Sequence, residues 1–440
     1  MRAHDAKPPG ALVDRLLLLM TTTTYKAEAF LAAARTLAVE VVVGSDRPQA
    51  LASLHPQGHL ALPFADLETA VRQVLTFAAS TPLTAIVAAD DEGVVLAAHL
   101  AQSLGLAHNS VDAVRTARDK LSTRRALQAA GLLVPGFRAV PRDSDPERLA
   151  ARVDYPCVVK PLALSGSRGV IRANGAAEFV AAFSRLAAIL SGPDLRDAEH
   201  TQQILVEDYI PGLEMALEGL LQDGELRTLA LFDKPDPLEG PFFQETIYVT
   251  PSRQPRALQS EVVDTVRAAA RALGLRTGPL HAEVRCNAAG TTLLEAAPRS
   301  IGGLCARALR FGAGEVSLEE LVLRQALGRD TAALEREPRA AGVMMIPIPR
   351  AGILRRVGGV EAAREVEHVE DVRLTVASGQ PVLPPPEGGR YLGFLFARAA
   401  TPEAVEAALR RSHARLVLEI EDAAAPPHGS TATPSRREGR

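Results

Sequence analysis

Cysteine, lysine, net charge and long apolar runs are all scarce in this sequence, and each scarcity excludes something. Three cysteines in 440 residues, Cys157, Cys286 and Cys305, are too few and too scattered for a disulfide scaffold or a zinc cluster. Two of them sit in apolar runs and read as buried free thiols. A formal net charge of −3 argues against a nucleic-acid surface or an anionic membrane as the main partner. No segment approaches the ~18 apolar residues of a membrane span. The run Leu16–Met20 is too short for the core of a signal peptide and opens a strand instead, so a cytoplasmic protein is expected. No glycine-lysine-Ser/Thr run occurs, which excludes a Walker A loop. Among 49 basic residues only Lys7, Lys26, Lys120, Lys160 and Lys234 are lysines. Where a solvated positive charge would do, the chain writes Arg. Each lysine beyond the polar leader thus marks a candidate place for a compact ammonium rather than a planar fork.

What is present is the composition of a globular protein, 47% hydrophobic and 23% charged, long enough for about three domains. Residues 1–13 and 423–440 are rich in Pro, Ser, Gly and charge and are expected to be disordered. Strands are expected at Arg15–Met20, Ala38–Val43 and Ala85–Ala88, with helices at Lys26–Leu37, Leu67–Ala79 and Gly93–Leu104 between and after them. That rhythm predicts a doubly wound parallel sheet over 14–111, with ligands near the carboxyl ends of its strands. The Thr21–Lys26 loop lies at such an end, but it lacks glycine and reads as a helix N-cap. A single helix is expected over Asp112–Ala130, ended by Gly131. Strands at Tyr155–Lys160, Gly169–Arg172 and Ile204–Tyr209, with a helix at Ala176–Leu190, make a small α+β unit within about 140–212. A second sheet is expected through Glu214–Leu221, Leu226–Phe232, Ile247–Val249 and Leu280–Ala297, within a larger domain over 112–330. A compact α/β piece over 337–422 closes the chain.

Three constellations carry chemistry. The first is Cys157–Val170, CVVKPLALSGSRGV, an apolar strand ending in Lys160 and followed by a Ser/Gly loop. Backbone N–H groups of Ser165, Gly166, Ser167 and Gly169 can approach phosphate oxygens closely, and a lysine supplies charge for the same oxygens. An ordinary hairpin turn reads the same way. The second is His281–Arg285 and Thr292–Ala297 around Asn287–Thr291. If that pentapeptide is a hairpin loop, Cys286 faces Thr292 and Glu283 faces Glu295. Two like charges opposite each other destabilise a sheet by up to roughly 1 kcal/mol, and a divalent cation such as Mg²⁺ reverses that sign. A one-residue slip would instead send one carboxylate to solvent. Arg299 follows, placed to brace a transferring phosphoryl group. Gly302 and Gly303 would then admit an anion to a helix starting at Leu304; a simple turn is the alternative. The third is Ile204–Glu214, an apolar strand ending in Glu207, Asp208, Tyr209 and Ile210 and a Pro-Gly turn. Its backbone suits a purine edge, and Glu214 suits sugar hydroxyls.

In this order the motifs resemble the ATP-grasp superfamily over roughly residues 15–420. The resemblance implies a doubly wound domain preceding ATP-grasp, an ATP-grasp domain of two α+β subdomains, and a small C-terminal domain. It implies ATP clamped between the subdomains, with Lys120 and Lys160 on the phosphates and Ser165–Gly169 closing over them. Glu207 and Ile210 would hold adenine, with Asp208 and Tyr209 beside them, and Glu214 the ribose. Glu283 and Glu295 would bind Mg²⁺, with Mn²⁺ as a substitute. Arg299 would stabilise acyl-phosphate chemistry. Within the superfamily, His281-Ala282-Glu283 and Gly240–Glu245 with Thr250–Arg253 look similar to L-amino-acid ligases. His281 is taken with Arg299 as catalytic, Glu245 as the acid that meets a substrate amine, and Lys234 as a contact to phosphates or an anionic substrate. One departure stands out: the superfamily usually has Asn two residues beyond the second metal Glu, and this chain has Ala297. The expected activity is ADP-forming ligation of a small-molecule carboxylate and amine. Biotin-carboxylase-like bicarbonate activation and an ATP-binding protein weakened in catalysis are the alternatives, and a homodimer is left open.

Overall fold

The computed structural model describes residues 14–48, 58–195 and 199–422. The leader 1–13 and tail 423–440, expected to be disordered, lie outside the described residues. Leu16, Leu17, Leu18 and Leu19 are all fully buried, because the strand Arg15–Met20 is flanked on both edges and covered on both faces. It pairs in parallel with Glu40–Ser45 and Ala85–Ala88, and His59–Ala61 adds the outer edge. An apolar run without alternation is what such a doubly covered strand requires. The loops Thr21–Lys26 and Asp90–Glu92 leave the carboxyl ends of two adjacent strands here.

The expected helix over 112–130 is two helices, Val111–Arg118 and Lys120–Ala129. Asp119 separates them: its backbone is extended and its carboxylate accepts from Ser122 N at 2.7 Å, capping the second helix. A capping aspartate offers the backbone a partner outside the helix. Lys120 thereby becomes the first helical residue, with its N–H bound to Leu162 O at 2.9 Å.

Phe137–Pro141, Gln203–Asp208, Cys157–Pro161 and Ile171–Ala173 form an antiparallel sheet. The helix Ala176–Leu190 covers it through Phe179, Phe183 and Leu186. A second antiparallel sheet has eight strands. Gly290–Ala297, Gly278–Asn287, Leu213–Gln222, Glu225–Asp233 and Ile247–Thr250 are continued by Ala340–Ile346, Gly393–Ala399 and Val369–Leu374. The C-terminal segment therefore extends the sheet of the central one rather than standing apart. Three further strands, Pro381–Val382, Gly352–Gly358 and Val417–Glu421, make a small sheet of their own.

The strand Gly278–Asn287 alternates. Leu280, Ala282, Val284 and Cys286 pack with Met215 and Leu217 against Val262, Val266 and Ala269 of the helix Arg256–Ala272. His281, Glu283 and Arg285 take the opposite face, as a period of two requires. His281 stands opposite Glu218, and Arg285 opposite Glu214, on the neighbouring strand. A polar face is thus presented on the side of this sheet opposite the helix Arg256–Ala272. Among the described residues no helix is long and apolar enough to cross a membrane.

Candidate active site

Between the two sheets and the carboxyl end of the parallel sheet lies a cavity of about 370 Å³. Of the residues singled out above, Lys120, Lys160, Ser165, Gly166, Ser167, Glu207, Asp208, Tyr209, Ile210 and Glu214 line it. So do Glu245, His281, Glu283, Glu295, Arg299, Gly302 and Gly303. Gly169 and Lys234 do not. Gly169 N instead donates to Pro386 O at 2.8 Å.

One end of the cavity is cationic. Lys160 is buried and bonded to Glu207. Glu207 also accepts from Arg124, Nε at 2.7 Å and Nη2 at 3.3 Å. The Glu207 side chain is therefore committed to two cations, not free for a purine edge, and any contact there falls to the backbone of 207–210. Burial pushes the Lys160 ammonium down to about 8 against the attraction of Glu207, helped by the Arg124 charge beside it. Lys120 Nζ donates to Leu164 O at 2.9 Å and lies 3.6 Å from Glu295.

The hairpin brings Glu283 opposite Glu295, although not through the expected loop. The turn is only Ala288-Ala289, Cys286 faces Thr291, and a bulge at Leu294 restores the carboxylate pair. A bulge adds one residue to one strand and shifts the register beyond it. The bulge also turns Leu293 O and Leu294 O to Arg124, at 3.0 and 3.2 Å.

The middle of the cavity is anionic. Lys234 Nζ lies 2.7 Å from Glu214, 2.5 Å from Glu245 and 3.5 Å from Glu283. Burial alone would lower its pKa; the three carboxylates outweigh that and hold it well above the usual lysine value. The expectation that Lys234 touches phosphate or an anionic substrate is corrected here, because its ammonium is enclosed by acids. Glu214 is likewise not a free ribose ligand, since it accepts from Lys234 and from Arg285 Nε at 3.0 Å. Glu245 accepts from Lys234 and from Tyr248 Oη at 2.5 Å. Burial and the Glu283 charge beside it raise its pKa against Lys234. Glutamate oxygens of Glu214, Glu245 and Glu283 lie within 4.8 Å of one another. An all-oxygen set with cavity-facing Glu283 and Glu295 fits Mg²⁺ or Mn²⁺.

His281 bonds Glu218 at 3.1 Å through Nδ1 and Glu283 at 3.4 Å through Nε2. Burial opposes its protonation, but those two bonds raise it to about 9. Glu218, fully buried, also accepts the Ile301 N–H at 3.2 Å. It thus fixes the histidine and the 299–303 loop together. Ala297, where the superfamily usually has Asn, stands opposite His281. Arg299 pairs with Asp91 at 2.6 Å and donates to Ser300 O at 2.9 Å. The helix expected from Leu304 is absent: Cys305–Ala308 is one 3₁₀ turn. Gly302 and Gly303 accordingly present loop backbone, not a helix dipole.

Lys26 and Arg285 also line the cavity. Lys26 makes no cap bond; its ammonium binds Ala89 O at 2.9 Å and Ser300 O at 3.1 Å. Its lysine identity in an arginine-rich chain was the available signal. Arg285 in the wall, and Arg124 and Glu218 behind it, carried none, because their partners are remote in sequence. All three cysteines are buried and free.

Three families match the chain in order: the ATP-grasp N-terminal domain over 31–108, the ATP-grasp domain over 153–308, and the L-amino acid ligase C-terminal domain 2 over 344–421. The chain thus carries an ATP-grasp domain preceded by an ATP-grasp N-terminal domain. In the order of its domains it is L-amino-acid-ligase-like. It is 27% identical over 297 residues to the uncharacterized protein y4rH of Sinorhizobium fredii, covering 67% of this chain and 59% of that protein. It is 34% identical over 291 residues to carnosine synthase 1 of Gallus gallus, covering 62% and 30%. With the alanine–anticapsin ligase of Bacillus amyloliquefaciens it shares 26% over 251 residues, 53% and 52% of the two chains. The chain therefore spans less than two thirds of the length of each of these relatives. The crystal structure of an L-amino acid ligase from Bacillus licheniformis superposes with a TM-score of 0.77 at 24% identity, over 93% of this chain and 99% of that one. The doubly wound, two-subdomain and C-terminal α/β architecture is that fold.

Proposed function

We propose that the protein is an ATP-dependent, ADP-forming ligase that joins a small carboxylate to a small amine through an acyl phosphate. The observation that carries this reading is the division of one cavity into a cationic end at Lys120 and Lys160 and an acidic centre at Glu245, Glu283 and Glu295. Phosphates need the first, and a metal and an ammonium group need the second. The relatives named ligases support the reading.

In this mechanism Lys120, Lys160 and the Ser165–Ser167 backbone hold the ATP phosphates. Glu283 and Glu295 would hold Mg²⁺, which when bound neutralises phosphate charge. The substrate carboxylate oxygen attacks the γ-phosphorus, ADP leaves, and the amine then displaces phosphate from the acyl carbon with loss of a proton. Arg299, braced by Asp91, would meet the charge on the acyl phosphate. Little covalent help is needed, because alignment and charge neutralisation carry most of such a reaction. Glu245 offers its carboxylate to the amine of the acyl donor.

Hydroxylamine tests this directly. With ATP, Mg²⁺ and a panel of L-amino acids, a hydroxamate of the first substrate is expected together with ADP. ATP hydrolysis stimulated by bicarbonate alone, with no hydroxamate from any amino acid, would overturn the reading in favour of a carboxylase.

A further inference from the structure

The Ser165–Gly169 loop has a backbone that calls for support from outside. Gly166, Ser167 and Gly169 have φ of +62°, +55° and +75°. That left-handed region is costly for a residue with a side chain, such as Ser167, and persists where the surroundings enforce it. Inside the loop the backbone bonds are Arg168 N to Ser165 O at 3.3 Å and Val170 N to Ser167 O at 3.1 Å.

The outside support comes from the C-terminal segment. Between the strands Pro381–Val382 and Gly393–Ala399, residues Pro386–Gly389 run along the loop. Pro386 O accepts from Gly169 N at 2.8 Å, and Glu387 O from Arg168 Nε at 3.0 Å. The Glu387 carboxylate takes both arms of Arg185, at 2.6 and 2.9 Å, on the helix Ala176–Leu190. Gly389 meets the loop backbone directly: a Cβ on Gly166 would stand 3.0 Å from Gly389 O. Arg390 follows and lines the cavity, but among the described residues its guanidinium makes no hydrogen bond and no ion pair. The grip on the loop therefore belongs to the backbone and to Glu387.

Arg185 gathers a second segment. Its guanidinium lies 5.0 Å from the centre of the Phe242 ring. Just before Phe242, Glu239 O and Pro241 O accept from Arg172 at 2.7 and 2.9 Å. The helix of the small α+β unit is thus tied, at one arginine, to segments that lead into two strands of the eight-stranded sheet, Ile247–Thr250 and Gly393–Ala399.

Ser165, Gly166 and Ser167 line the cavity, while Gly169 N is spent on Pro386. A loop that presents backbone N–H groups to phosphate oxygens binds more tightly when it is fixed before the ligand arrives. We propose that Pro386–Gly389 is a strap by which the C-terminal segment positions the Ser165–Ser167 backbone for nucleotide phosphates, with Glu387 as the positioning residue. This rests on reading the cavity as an ATP site, and it makes that site depend on the C-terminal segment.

The test exchanges the charges of the pair. Equilibrium binding of ATP and of AMP, each with Mg²⁺, is compared in wild type, E387R, R185E and the double variant R185E/E387R. Breaking an exposed pair and setting like charges together is expected to weaken ATP binding about three- to fivefold in each single variant. AMP, which lacks the two outer phosphates, should change less than about twofold. The double variant should recover at least about half of the loss on a logarithmic scale, as a coupled pair requires. ATP affinity equal to wild type in both single variants would overturn the proposal. So would equal losses for ATP and AMP, which place the damage in the fold, or a double variant no better than the weaker single one. If wild type binds no ATP, the nucleotide reading fails, and amide hydrogen exchange of the free protein still decides the strap. Exchange over residues 164–170 that is faster in E387R than in wild type, and slowed again in the double variant, supports it. Exchange unchanged in E387R refutes it.

Discussion

Lys160 and Lys234 are both buried at the ends of central strands, and their surroundings balance charge in opposite directions. Lys160 shares a single carboxylate, Glu207, with Arg124, and Lys120 adds a third cation to the neighbourhood. That group is short of negative charge. Lys234 sits among three carboxylates and is in cation–π range of Tyr248, 4.8 Å from its ring centre. That group is short of positive charge. The same residue type therefore builds an anion-seeking end and a cation-seeking centre within one cavity, and the count of partners decides which.

The comparison can be broken in several ways. The largest effect is expected at the acidic centre. Glu295→Gln should lower kcat at least about 100-fold, the scale of losing one electrostatic contact to the transition state. Wild type should gain more thermal stability from Mg²⁺ and ATP than from ATP with chelator, and the variant should lose that difference. Equal melting shifts in wild type under the two conditions would remove the metal from the Glu283–Glu295 pair.

Next comes stability. Lys234→Ala strips the shared counter-charge from Glu214, Glu245 and Glu283, and unfolding free energy should fall by about 3–5 kcal/mol. In denaturant titrations added Mg²⁺ should restore more of it than it adds to wild type. Lys160→Ala leaves Glu207 paired with Arg124, so about 1–2 kcal/mol is the expected cost. Equal losses in the two variants would end the contrast.

Lys160→Ala should weaken ATP binding roughly tenfold. Calorimetry showing unchanged affinity would take Lys160 out of the nucleotide site.

The smallest effect is on pH. Burial pushes the Lys160 ammonium down to about 8, below the usual lysine value, so the folded protein gives up this proton first. ATP affinity should decline as pH rises through about 8, and Lys160→Met should flatten that profile. Stability should move the other way: the unfolded chain binds more protons between the two values, so this group contributes increasing stability over that window. An ATP affinity constant from pH 7 to 9.5 in wild type would contradict the assignment.

Much of this was legible in the residues themselves. Leu16–Leu19 announced a strand buried on both faces, and the alternation of Leu280, Ala282 and Val284 with His281, Glu283 and Arg285 announced a sheet with one polar face. The scarcity of lysine pointed to Lys120, Lys160 and Lys234, and also to Lys26, whose loop was read as a cap. Two details were misread for local reasons. Asp119 splits a helix that periodicity alone continues, because a cap bond competes with the helical one. The turn at Ala288-Ala289 is shorter than expected, and only the bulge at Leu294 returns Glu295 to Glu283.

By itself the sequence determined the alternation of strands and helices, which face of the strand Gly278–Asn287 is apolar, and which residue types stand at strand ends. These follow from periodicity and short-range hydrogen bonding, which act over a few residues. Only the tertiary structure decided that Lys234 belongs to three acids, that Glu207 belongs to Arg124 and Lys160, and that Glu218 ties His281 to Ile301. It also decided that Arg390 has no partner among the described residues. Those pairings join residues 11 to 83 positions apart, and Coulomb attraction and desolvation depend on distance in space, which no spacing along the chain encodes.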